Sequence, residues 1–154
     1  MSTRTVSYGS LAIPFSAQRQ VDAAFAYLAR DAAARALIER AERSRTPHRI
    51  LIDHHGRDAY LPASRTIVWD PHSAMRVGNG RQSPALGLAH ELDHAMEEPR
   101  TFDRLVERRE PAYDNAEERR VITGLERHAA RTLHEAVRND HRGTLYAVRE
   151  PTSR

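Results

Sequence analysis

Apolar residues recur at three- and four-residue intervals in three stretches of the chain. Val21, Phe25, Leu28 and Ala32 mark the first stretch. The alanine- and arginine-rich run 17–43 around them predicts one long helix, with Ser16 as its cap and Pro47 beyond its end. Ala85, Ala89, Leu92 and Met96 mark the second. This helix opens at Ser83-Pro84, serine capping and proline in the first turn, and Pro99 stops it after Glu98. Ile122, Leu125 and Ala129 mark the third, a helix over 115–137 capped by Asp114 or Asn115.

Between the first two helices the period changes. Arg49-Ile50-Leu51-Ile52 reads as a short buried strand, and Asp53 to Asp58 as a turn. Ala59-Tyr60-Leu61 reads as a second short strand ended by Pro62. Thr66-Ile67-Val68-Trp69 is the strongest strand, β-branched and aromatic, closed by Asp70-Pro71. Residues 1–15 read as an arm with little structure of its own, 72–82 as a flexible loop, and 99–114 as irregular with a short helix near Leu105. After a turn at 139–143, Thr144 to Val148 reads as a final strand. The pattern predicts an α+β fold in which a small sheet from 48–70 packs on the 83–98 helix. With 154 residues and no internal repeat, a single domain over 1–154 is expected.

Composition narrows the chemistry. Cysteine is absent, which removes disulfides, thiolate catalysis and thiolate metal sites. No apolar run has membrane-spanning length, and no signal-peptide core is recognisable. Hydrophobic residues at 40% and charged residues at 29% fit a globular chain. The computed pI is about 9.8. All 24 basic residues are arginine, interleaved with acids, and aromatics make up only 6%. That pattern suits a charged surface better than a stripe that tracks a phosphate backbone, so nucleic acid is not the expected partner.

The sharpest signal is His90-Glu91-Leu92-Asp93-His94, a His-Glu-x-x-His run inside a predicted helix. Positions i and i+4 share a helix face, so both imidazoles can reach one zinc ion. Glu91 sits beside the first ligand, placed to accept a proton from a water whose pKa the zinc lowers. A catalytic zinc takes a third protein ligand. The positions for a close third histidine hold Glu97 and Arg100. Glu118 shares the apolar face of the following helix, whereas Glu117 is rotated away. Glu118 also fits a capping box with Asn115, and the local pattern leaves both readings open.

His90 to Ala95, followed by Glu117-Glu118-Arg119-Arg120, resembles the zincins that take glutamate as third ligand. Within them the chain resembles the small zinc metallopeptidases injected as effectors by Gram-negative pathogens, distantly similar to clostridial neurotoxin light chains. Ile67 to Pro71 and Leu88-Ala89 belong to the same likeness, which covers roughly residues 48–148. The resemblance implies a zincin-like minimal metalloprotease fold, one zinc per chain on His90, His94 and Glu118, and Glu117 and Arg120 orienting those ligands. It implies an arginine and a tyrosine beside the zinc near the C-terminus, for which Arg142 and Tyr146 are the nearest matches, spaced by four rather than three. It also implies type III secretion into a host cell, or a bacterial cytoplasmic location for an orphan homologue, and cleavage of one host protein.

The expected function is therefore a zinc-dependent endopeptidase with Glu91 as general base and Tyr146 or Arg142 steadying the oxyanion. Thr66, Ile67, Val68 and Trp69 are expected to form the edge on which an extended substrate lies. Two alternatives are a non-catalytic zinc-stabilised protein-interaction domain and, more remotely, an arginine-rich DNA-associated module. Asp53-His54-His55 has no spacing partner for a second metal. His72, in the loop before the 83–98 helix, is expected at the surface, where it can reach substrate; His128 lies about 15 Å along the helix from Glu118, too far to share its zinc; His134 and His141 offer no arrangement of their own.

Overall fold

The computed structural model describes residues 3–78 and 80–154. Met1 and Ser2 of the expected arm, and Asn79 of the expected loop, lie outside the described residues. The N-terminal segment is not an arm. Strands β1 (Thr5–Tyr8) and β2 (Leu11–Pro14) form a hairpin turned at Gly9, whose φ of +57° favours glycine. Leu11 and Ile13 point inward with no exposure, which ties the hairpin to the core.

The expected long helix is two helices, α1 (Gln18–Leu28) and α2 (Ala32–Arg43). Asp31 breaks it. Its extended backbone and its side chain, accepting the Ala34 N–H at 2.9 Å, make it an N-cap. The same buried carboxylate accepts the Thr132 hydroxyl at 2.6 Å and pairs with His128 at 2.7 Å, fastening α2 to a distant helix.

β3 (His48–Ile52), β4 (Ala59–Leu61) and β5 (Thr66–Trp69) complete a five-stranded sheet of order β1-β2-β3-β5-β4. β2, β3 and β5 run parallel, and β4 turns back antiparallel on β5 through a turn at Pro62–Ser64. The edge expected at Thr66–Trp69 is not there. β5 lies between β3 and β4 with both sides paired, and the edges of the sheet are β1 and β4. Burial explains the placement, since Thr66, Ile67 and Trp69 are all essentially unexposed.

The expected loop at 72–82 is a hairpin of β6 (Ser73–Val77) and β7 (Gly80–Gln82), joined on its other side by β10 (Thr144–Ala147). α3 (Pro84–Met96) runs beneath the five-stranded sheet, and eleven of its thirteen residues are buried. A helix covered on all sides lies in the interior rather than on a surface. The Ser83 side chain accepts the Leu86 N–H at 3.3 Å, and the Trp69 indole donates to the Pro84 carbonyl at 2.8 Å, fixing where α3 begins.

α4 (Pro99–Val106) follows, then a short ladder of β8 (Arg109–Glu110) and β9 (Asp114–Asn115). The last helical stretch begins as α5 (Ala116–Val121), passes through a π-helical turn at Ile122–Glu126, and ends as α6 (Arg127–Thr132). It stops five residues short of the expected Val137. Among the described residues, no helix is long and apolar enough to cross a membrane.

Candidate metal centre

One turn of α3 places His90 and His94 on the same face, as the i,i+4 spacing requires. Their Nε2 atoms face each other at 3.0 Å. Glu118, in the first turn of α5, sends one oxygen to each: Oε2 lies 3.0 Å from His90 Nε2 and Oε1 3.2 Å from His94 Nε2. Asn115 caps α5 by accepting the Glu118 N–H at 2.9 Å. The backbone of Glu118 is thus capped while its carboxylate is turned to the histidines.

Each imidazole is held from behind by its own carboxylate. His90 Nδ1 donates to Glu126 at 2.7 Å and His94 Nδ1 to Glu117 at 3.0 Å. That arrangement fixes each ring's tautomer and turns its Nε2 lone pair inward. Each carboxylate is gripped in turn by an arginine. Arg138 makes two bonds to Glu126, at 2.7 and 2.9 Å. Arg120 makes two to Glu117, at 2.9 and 2.6 Å, and reaches Asp93 at 3.2 Å and Glu97 at 3.0 Å.

This donor set fits zinc. Tetrahedral ligands at the usual Zn–N distance lie about 3.3 Å apart, close to the separations among His90, His94 and Glu118. Two lone pairs and a carboxylate converging in a buried space also need a cation to be satisfied. In the metal-free chain a proton takes that role. Burial alone would lower the His90 pKa, but the hydrogen bonds to Glu118 and Glu126 outweigh it and push the group up to about 10. Glu118 would be raised by burial, yet the two imidazoles hold it well below the usual carboxylate range. Glu126 behaves likewise, and His90 and Arg138 bring it to about 2.

Glu91 is buried, its Oε1 4.0 Å from His90 Nε2, and it faces the cleft. His141 enters the same cluster from the turn before β10. It bonds Asp114 through Nδ1 and brings Nε2 to 3.4 Å from Glu118, with its ring stacked 6.5 Å from that of His90. Glu91 and His141 each belong to a metal-competent group of donors with His90.

His141, Glu126 and Arg138 carried no local signal in the sequence. Glu126 is eight residues beyond Glu118, which in a regular helix turns it about 80° away. The π turn absorbs one residue, so the pair behaves like i,i+7, about 20° from alignment. Arg138 and His141 lie in irregular chain, and only the fold brings them in.

Arg142 and Tyr146 are not brought to the histidines. Arg142 is exposed. On β10, Leu145 lines the cleft beside His90, while alternate Tyr146 lies under the Arg81 guanidinium with its hydroxyl buried. Thr66 to Trp69 lie inside the sheet. Asp53 caps its own turn through the His55 and Arg57 N–H groups, with His54 and His55 exposed. His72 is exposed, and its ring meets the Val148 carbonyl at 3.2 Å.

A mixed α+β frame, with a small sheet and helices bearing a His-Glu-x-x-His triad, is a zincin-like minimal metalloprotease fold, and its centre is a zinc-binding site of catalytic type. Neither protein-family models, curated proteins nor solved structures give a match to this chain.

Proposed function

We propose that this protein is a zinc-dependent endopeptidase acting on a specific protein bound as an extended chain. The observation that carries the reading is the convergence of His90 Nε2, His94 Nε2 and Glu118 beside a buried Glu91 that, among the described residues, makes no salt bridge to an arginine. A zinc ion held by those three would polarise the scissile carbonyl and acidify a water. Glu91 accepts that water's proton and passes it to the leaving nitrogen. His141, paired with Asp114 through Nδ1, would as an imidazolium donate its Nε2–H to the oxygen that gains charge. β4 offers the free sheet edge next to α3, and its main chain can hold a peptide in register. Exposed Leu145 and Val106 flank the cleft and favour a protein ligand over a small polar one. The resemblance to injected effectors supports a host protein as target and delivery by a type III system.

Glu91→Gln tests the reading. Zinc content and melting temperature should hold, while new N-termini in host-cell extract should appear at a rate about 10²–10⁴-fold lower. Equal fragment patterns from both proteins would overturn it. A second reading rests on His141. If His141 is a fourth ligand, the site is closed and zinc only stabilises an interaction domain. His141→Ala separates the two. A catalytic donor is lost without loss of zinc, whereas a closed site loses affinity with it.

A further inference from the structure

The cleft contains one more carboxylate, Asp58, on the residue before edge strand β4. Together with Glu91 and His141 it borders both cavities that flank the metal centre, of about 320 and 200 Å³. Apart from Glu91, kept for the reaction, the other acids around the centre are engaged: Glu117 and Asp93 by Arg120, Glu126 by Arg138, Glu118 by the histidines. Asp58 makes no ion pair within 4 Å among the described residues. Its Oδ1 accepts the Asp70 N–H at 2.8 Å, and its Oδ2 faces α3 at Gly87. A Cβ at Gly87 would stand 2.8 Å from that oxygen. The absence of a side chain at 87, three residues ahead of His90, is what lets Oδ2 sit this close to α3 at the cavity wall.

The larger cavity has room for one long side chain. Met75, Leu86 and Leu145 supply apolar walls, and Asp58 and Glu91 add carboxylates to a lining that also carries the metal-site groups His90, Glu126, Arg138 and His141. At about 320 Å³ it is at the small end of ligand pockets. Apolar walls with a charged end suit a residue that buries a methylene stem and presents a cationic head.

We propose that Asp58 is the specificity determinant of this site and selects an arginine or lysine side chain beside the scissile bond. The assignment rests on the endopeptidase reading, because it supposes a peptide in the cleft. The guanidinium or ammonium pairs with Oδ2 while Oδ1 keeps its backbone bond. Burial, reinforced by Glu91 and Asp70, pushes Asp58 up to about 7. A cation docked on Oδ2 offsets both effects by supplying the missing opposite charge.

The test is equilibrium binding, which needs no turnover. Two short peptide hydroxamates, alike except for arginine or its uncharged isostere citrulline, are titrated into zinc-loaded protein. The arginine probe should bind about tenfold tighter or better. Asp58→Asn, which retains an acceptor for the Asp70 N–H, should erase that difference and leave citrulline binding unchanged. Gly87→Ala, which crowds Oδ2 while favouring the helix, should erase it too and serves if the first variant folds poorly. Equal binding of both probes to the wild type, or a preference that survives Asp58→Asn, overturns the proposal and leaves the peptidase reading standing. Failure of both probes to bind zinc-loaded protein overturns the peptidase reading, and the proposal with it.

Discussion

The two histidines of α3 are held by relays of the same chemistry in different surroundings. His94 leans on Glu117 and Arg120, which lie three residues apart in one helical turn. The Arg120 side chain is 31% exposed and shared with Asp93 and Glu97. His90 leans on Glu126 and Arg138, from a π turn and an irregular segment, with side chains only 2% and 7% exposed. The outer relay is local, wet and has several acceptors. The inner relay is assembled by the fold, dry and has few substitutes. Their contributions to the site should differ accordingly, although their hydrogen-bond lengths are similar.

The largest break in that symmetry should come from Glu126→Ala. It leaves the Arg138 guanidinium buried without its partner, which costs about 3–5 kcal/mol. Urea denaturation of the metal-free protein measures it. Glu117→Ala should cost clearly less, because water and two other carboxylates reach Arg120. Equal losses would mean that burial does not distinguish the relays.

Zinc affinity gives a second contrast. Carboxylates behind metal-bound histidines contribute about 10–100-fold in affinity. Glu126→Gln should fall at the upper end of that range and Glu117→Gln at the lower, with Glu118→Gln worse than either. Competition against a chromogenic chelator reads all three. A Glu118→Gln loss no greater than that of Glu117→Gln would remove Glu118 from the ligand set.

The pH dependence of the metal-free chain follows from the same groups. His90 is raised in the fold to about 10, so its stabilisation is complete below the unfolded value near 6.5 and disappears as pH rises towards 10. Glu126 is depressed to about 2, so its share is complete above about 4.5 and disappears as pH falls towards 2. Melting temperature, with zinc chelated, should therefore peak between about pH 5 and 6.5. In Glu126→Gln the acid limb should flatten. A wild-type maximum at pH 9 would contradict the protonated imidazole cluster.

The smallest effect is expected from a change that looks severe. Deleting Gly124 removes one residue from the π turn and leaves Glu118 and Glu126 seven apart, on one face of a regular helix. Zinc affinity should change by less than about threefold, well below the loss expected from a missing carboxylate. A loss matching Glu126→Gln would show that the π turn does not set the register.

The outer relay is also the part that sequence could reveal. His90, Glu91 and His94 stand out by spacing. Glu118 is a candidate from its helix face, which a capping box with Asn115 explains equally well, and the resemblance to zincins points to it and to Glu117 and Arg120. Each of these depends on neighbours in the chain. The inner relay does not, because it needs a helix with an irregular period and a connection without any. His141 and Asp58 are hidden for the same reason. The errors in the fold have similar causes. Asp31 is masked as a cap by the strong helix formers around it, and the N-terminal hairpin is too short to show a period. The apolar character of the strongest strand reflects burial on both sides, which is why it lies inside the sheet and not at its edge.

Trp69 gives the molecule a property that no other residue duplicates. It is the chain's single tryptophan, fully shielded from water, with its indole N–H bonded to the first turn of α3. Its emission therefore reports on one junction, where the sheet meets the helix that carries both histidines. A blue-shifted native spectrum that moves to the red on denaturation would follow the docking of that helix without an added label. Zinc titrations and stopped-flow refolding could then be read from the same native fluorophore.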